Sequence, residues 1–166
     1  MSVNIALLTV TDTRTLENDK SGNILVEKIK KAKHNLVERK ICKDNKEDIK
    51  IILKEWTHKK DLDVIITTGG TGLTGRDITP EALDEIADKH IPGFGEIFRY
   101  YSLETVGTSS IQSRACAVLS NGKYIFALPG SSGGVTDAWD KILVNQLDIN
   151  HKPCNFVELF PRLKEK

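Results

Sequence analysis

A mostly parallel sheet covered by helices on both faces is the fold class this sequence predicts, and three observations predict it. Short β-branched runs, Ile5 to Val10 and Val64 to Thr68, alternate with stretches whose apolar residues recur at helical spacing. Loops of Thr, Ser and Gly follow those runs at once, as functional loops follow buried parallel strands. Hydrophobic residues at 39% and charged residues at 28% of 166 positions suit one globular core, so residues 1–166 are expected to form a single domain.

The elements follow in order. Ile5 to Val10 reads as a buried strand that ends in Thr11-Asp12-Thr13-Arg14. Ser21-Gly22 is expected to cap a helix over Asn23 to Lys33, where Ile24, Leu25 and Ile29 sit among Lys and Glu. Leu36 to Cys42 resembles a second, more polar strand. Asp44-Asn45 is expected to cap the next helix, with Ile49, Ile52, Leu53 and Trp56 at helical spacing. Val64 to Thr68 feeds a glycine loop, Gly69-Gly70-Thr71-Gly72. Thr79-Pro80-Glu81-Ala82 opens a helix with a capping hydroxyl and Pro at the first helical position. Ile91-Pro92-Gly93-Phe94-Gly95 should break that helix, and Glu96 to Leu103 should form another. Ala115 to Leu119 and Tyr124 to Leu128 flank Asn121-Gly122, a hairpin signal that makes one strand antiparallel. Pro129 to Gly134 then leads into a helix with Val135, Ala138, Trp139, Ile142 and Leu143 on one face. The tail after His151 reads as irregular.

Charge narrows the possible partners. Lys plus Arg number 24 against 23 Asp plus Glu, so no global field draws DNA, RNA or an anionic membrane, and any anion needs a local site. The apolar run at the N-terminus is too short for a secretory core, and nowhere do about 18 apolar residues run together. A cytoplasmic location is the expectation. Cys42, Cys116 and Cys154 are widely spaced and odd in number, which reads as reduced, mostly buried thiols. His34, His58, His90 and His151 lack ligand spacing and read as solvated.

In open α/β sheets ligands collect at the carboxyl ends of the strands, and Thr11–Arg14, Gly69–Gly75 and Pro129–Gly134 should share that edge. Gly70-Thr71-Gly72-Leu73-Thr74-Gly75 is a literal G-x-G-x-x-G, but Thr79-Pro80 delays the helix that a dinucleotide fold would open on the glycines. A P-loop fails because Arg76-Asp77 stand where Lys-Ser/Thr belongs. What remains is a loop whose amides can approach phosphate oxygens. Pro129 to Gly134 supplies a second anion site or simply a capped helix start. Together the two loops suit a ligand with two anionic ends. Asp77 can hold Mg²⁺ that also bridges phosphates. Asp44 is either a helix cap or a second site carboxylate. Arg114 has two readings, a phosphate contact and a surface ion pair. Phe98-Arg99-Tyr100-Tyr101 reads as core or subunit contact.

Thr67-Thr68-Gly69-Gly70-Thr71-Gly72, Arg76-Asp77-Ile78-Thr79-Pro80-Glu81-Ala82 and Leu128-Pro129-Gly130-Ser131, at these separations, resemble the MoaB/MogA family of molybdenum cofactor proteins over nearly the whole chain. The resemblance implies a three-layer α/β/α sandwich, assembled as homotrimers or hexamers. It implies adenylyl transfer, in which the terminal phosphate of molybdopterin attacks the α-phosphate of Mg-ATP and expels pyrophosphate. It carries the family's two functional aspartates onto Asp44 and Asp77. Thr68, Gly69, Gly70, Thr71 and Gly72 would hold nucleotide phosphate, and Pro129, Gly130, Ser131 and Ser132 the pterin-side ligand. One departure stands: Lys43 precedes Asp44 where the family's active members usually have Pro, and the alternative is a carrier that binds molybdopterin or nucleotide without turnover.

Overall fold

The computed structural model describes residues 1–165. Its six strands are β1 (Asn4–Val10), β2 (Asn35–Cys42), β3 (Val64–Thr68), β4 (Lys89–His90), β5 (Cys116–Ser120) and β6 (Lys123–Leu128). They form one sheet in the order β2-β1-β3-β6-β5-β4. β2, β1, β3 and β6 run parallel, and β5 is antiparallel to both of its neighbours. The β5–β6 hairpin turns on Asn121 (φ 47°) and Gly122 (φ 72°), the left-handed pair that a tight primed turn requires. β4 is a two-residue edge strand with no alternating pattern to betray it in the sequence.

Helices lie on both faces because the strands are apolar on both. Ile5, Leu7, Val64, Ile66 and Phe126 face α1 (Lys20–Lys31), α4 (Pro92–Val106) and α5 (Ser132–Ala138) through Leu25, Ile29, Phe94, Phe98, Val135 and Ala138. Ala6, Leu8, Ile65, Val118 and Ile125 face α2 (Lys46–Thr57) and α3 (Thr79–Asp84) through Ile49, Leu53, Trp56, Ala82 and Leu83. Each fully buried Leu, Ile or Phe contributes about 1.5–3 kcal/mol to this three-layer packing. After α5 the chain passes through a π-helical turn, Trp139–Leu143, into α6 (Val144–Gln146). The tail then packs Phe156 and Phe160 against the first core and closes in a 3₁₀ turn at Val157–Arg162.

Several boundaries differ from the sequence expectation, each for a local reason. α1 starts at Lys20, because the side chain of Asp19, not Ser21-Gly22, accepts from the Gly22 amide as the N-cap. α2 is capped by Asn45, which accepts from the amides of Glu47 and Asp48. Thr79 is already helical, and its hydroxyl bonds Gly69 O at 2.9 Å instead of capping α3. Pro92 opens α4 rather than breaking the chain ahead of it, since Pro fits a first helical turn that needs no donor. Gly95 inside that helix permits close packing on the sheet: a Cβ there would lie 2.5 Å from Ala115 O.

Register places the site. Thr9 pairs with Thr68, Thr68 with Leu128, and Val10 with Cys42, so β1, β2, β3 and β6 all end at one level. The loops after them therefore meet at one edge.

Candidate functional site

The glycine loop turns sharply off β3. Gly69 (φ +103°) and Gly70 (φ +69°) occupy left-handed backbone that other residues adopt with strain, and a Cβ on Gly69 would sit 2.2 Å from Val10 O. The loop is held by its carbonyls. Gly69 O accepts from the Thr79 hydroxyl and Gly70 O from the Thr79 amide, the latter at 3.0 Å. Among the described residues, the amides of Gly70 and Thr71 make no hydrogen bond within the chain, and they are the free donors an anion would take. The loop also touches its neighbour: Gly69 N donates to Leu128 O at 3.0 Å, and Thr68 Oγ1 donates to Pro129 O at 2.7 Å.

Asp77 ends this loop. Its Oδ2 accepts from the Thr74 amide at 2.9 Å and the Thr74 hydroxyl at 2.7 Å. Burial works against its charge, but the bonds from Thr74, the Gly72 amide and the nearby Arg114 outweigh it and hold the carboxyl below its ordinary 3.8. Asp44 behaves oppositely. With Asn45 taking the cap, the Asp44 carboxylate is left to the cleft, and its own amide donates to Asp12 Oδ1 at 3.1 Å. Burial and the negative charges of Asp12 and Asp77 raise its pKa above the ordinary 3.8. Two aspartates from separate loops thus share one electrostatic environment. Arg76 pairs with Asp12 at 3.4 Å on the same rim.

Beneath the junction of the loops lies a carboxylate that the sequence reading missed. Asp19 is fully buried; Thr9 Oγ1 donates to it at 2.5 Å, the Gly22 amide at 3.0 Å and Arg39 at 3.1 Å. Ser21 Oγ donates to it at 3.3 Å, and Arg14 donates in turn to Ser21 Oγ and to Gly130 O, each at 3.2 Å. Burial opposes the Asp19 charge, yet Thr9, Gly22 and Arg39 together keep its pKa below 3.8. Asp19 therefore ties β1, α1 and β2 to the P-G-S loop. The capping preference for Asp immediately before Lys20 was the one signal for it in the sequence.

Two cavities open at this edge. The larger, about 830 Å³, lies between the glycine loop, Pro129–Gly134, α4 and the 3₁₀ turn Gly107–Gln112, with Phe98, Ser102, Thr105, Ser109 and Ser113 among its walls. The smaller, about 370 Å³, is lined by charged residues, Arg14, Asp44, Arg76 and Asp77, beside Thr68 and the glycines. Gly69, Gly70, Asp77, Gly130 and Ser131 line both. Both loops thus border both cavities, so neither is confined to one end of a ligand. Thr71, Gly72, Pro129 and Ser132 line the larger cavity only. Ser131 caps α5, accepting from the Gly134 amide at 3.1 Å. A largely apolar chamber, with Asp77 and Asp137 on its wall, joined to a more charged one is the shape for an organic ring system carrying phosphate.

Residues 6–149 match the family model described as "Probable molybdopterin binding domain". The chain belongs to this molybdenum cofactor biosynthesis family. It is 44% identical over 161 residues to molybdenum cofactor biosynthesis protein B of Escherichia coli, covering 97% of this chain and 93% of that protein. A crystal structure of a molybdenum cofactor biosynthesis protein B superposes with a TM-score of 0.89 at 40% identity, covering 100% of this chain and 98% of that one. The tungsten cofactor synthesizing protein MoaB from Pyrococcus furiosus superposes at 0.77 with 36% identity, covering 86% and 91%.

Some other expectations hold and some need correction. Of the two readings of Arg114 the ion pair holds, with Glu81, and the same guanidinium is further occupied by Gly72 O and Asp77 O. Phe98 is core, as one reading of its segment expected, whereas Tyr100 is 66% exposed. His34 is half-buried against Trp139 and accepts from the Val3 amide, and burial first, then the N-terminal charge, lowers its pKa. All three cysteines are free; Cys154 is exposed, Cys42 and Cys116 are half-buried, and burial pushes their thiols up to about 12 and about 11. No helix among the described residues is long and apolar enough to cross a membrane.

Proposed function

We propose that the chain binds molybdopterin and Mg-ATP at this edge and transfers AMP to the molybdopterin phosphate, releasing pyrophosphate. The observation that carries the reading is the pair Asp44 and Asp77, brought from separate loops to a charged cavity beside a larger, more apolar one. A bound Mg²⁺ would supply charge neutralisation at the phosphates. The donor set fits that ion: burial first, then the charges of Asp12 and Asp77, disfavour ionised Asp44, and a cation relieves the repulsion. Among the described residues no group of three or more His, Cys, Asp or Glu side chains could hold a metal alone, so a bound Mg²⁺ would need substrate phosphates and water to complete its shell.

The chain's own residues then have distinct work. The free amides of Gly70 and Thr71 bind phosphate oxygens, and Arg14 and Arg76 line the smaller chamber beside Gly70 as counter-charges. Pro129, Gly130, Ser131 and Ser132 wall the larger chamber against the pterin side of the ligand. Transfer of this kind needs alignment of attacking and leaving oxygens and stabilisation of charge more than a strong base. A carrier without turnover is the second reading, favoured by Thr74, whose two bonds give Asp77 Oδ2 a structural role. Pyrophosphate release from purified protein, molybdopterin, Mg²⁺ and ATP separates them: stoichiometric binding without release assigns the carrier.

Assembly belongs to the same reading. Ile97, Tyr100, Leu103 and Val106 on α4 and Ile111 just beyond it are exposed apolar side chains, and Glu96 lies among them. A homotrimer or hexamer would bury this strip.

A further inference from the structure

The glycine loop is held open by a residue that does not line either cavity. Five of its carbonyls point into the protein: Gly69 O and Gly70 O onto Thr79, Thr71 O onto the Arg114 amide at 2.8 Å, Gly72 O onto Arg114 Nε at 2.7 Å, and Asp77 O onto Arg114 Nη2 at 2.6 Å. A planar trans peptide sets each amide opposite the preceding carbonyl, so anchoring carbonyls 69 to 72 turns amides 70 to 73 the other way. Glu81, in the first turn of α3, pairs with Nη1 and fixes the plane of the fork. Arg114 borders a separate cavity on the far side, with Cys116 and Arg99, and not the two described above.

We propose that Arg114 is the positioning residue of this site: its guanidinium spans Gly72 O and Asp77 O, and so fixes the second half of the loop and the Asp77 carboxylate against the Gly70 and Thr71 amides that Thr79 sets, without touching ligand. The inference rests on the reading of the loop as the phosphate-binding element. Geometry makes the role specific to arginine. Nε and Nη2 are two donors of one rigid plane aimed at two carbonyls, and the point charge of lysine, on one flexible stem, cannot hold both in that fixed relation. The same charge also supports ionised Asp77.

The test uses the full chain with Arg114→Lys and Arg114→Gln, read by hydrogen–deuterium exchange over residues 69–78 and by calorimetric titration with Mg-ATP. Both variants should exchange about tenfold or more faster in that segment, with β1, β3 and β6 protected as before, and both should bind Mg-ATP about tenfold or more weakly. Lysine should fail to rescue either readout. Glu81→Gln, which frees the fork without removing it, should move both readouts in the same direction by a smaller factor and serves if the arginine variants do not fold. Wild-type exchange and affinity in Arg114→Lys would overturn the proposal, as would acceleration spread evenly over all strands. If wild-type chain binds no Mg-ATP while loop exchange still rises in the variants, the phosphate reading falls and the positioning role of Arg114 stands.

Discussion

Asp19→Asn tests how the ligand-binding edge is fastened to the sheet. Asparagine keeps an oxygen for the Gly22 amide, so the α1 cap survives and the usual loss of about 1 kcal/mol is avoided. What disappears is a fully buried charge facing Arg39 at 3.1 Å and Arg14 at 3.9 Å. Removing one partner of a buried pair costs about 3–5 kcal/mol. Arg39 retains 18% exposure and Arg14 38%, so solvent screens part of that penalty, and about 2–3 kcal/mol is expected. In a chain of this length the melting temperature should fall by roughly 5–10 °C. The pH dependence has a definite sign. The folded pKa of Asp19 lies below its unfolded value of 3.8, so its contribution is complete above 3.8 and is lost as pH falls through the folded pKa. The gap between wild type and variant in thermal denaturation should be full near pH 7 and close at the acid end. A gap under about 1 kcal/mol at neutral pH, or one that persists unchanged into strong acid, would refute the account of Asp19 as an ionised tie.

Asp77→Asn should reduce pyrophosphate release by about a hundredfold or more while shifting stability by no more than about 1 kcal/mol, since the amide oxygen still accepts from Thr74; unchanged release would remove Asp77 from the metal role. Asp44→Asn should lose activity in the same assay with stability unchanged or slightly raised. A folded pKa above 3.8 means the charged form costs stability above that pH, so the wild type gains relative to the variant as pH falls from the raised value toward 3.8. A fall of about 1 kcal/mol or more at neutral pH would return Asp44 to a capping role. Light scattering should report three or six times the 18.5 kDa chain mass at micromolar concentration, and a Tyr100→Glu variant should dissociate; a monomeric wild type would refute the assembly.

The parallel strands and the shared loop edge were legible because they depend on local pattern: Ile5 to Val10 and Val64 to Thr68 are β-branched, and Asn121-Gly122 demands a tight hairpin turn. The family fold was legible from T-G-G-T-G, R-D-x-T-P-E and P-G-S at their separations. The supports of the site were not, because each depends on contacts made only in three dimensions. Thr79 looks like a cap in sequence, but the fold gives it the Gly69 and Gly70 carbonyls, so its hydroxyl and amide serve the loop instead. Asp44 and Asn45 are equivalent candidates by type, and only the backbone of α2 shows that Asn45 reaches Glu47 and Asp48. Arg114 follows a 3₁₀ turn 42 residues beyond Gly72, and no spacing rule links the two. A backbone that presents its amides to a ligand must hide its carbonyls elsewhere, so the donors that receive those carbonyls lie behind the site, on elements whose own sequence carries no trace of the ligand.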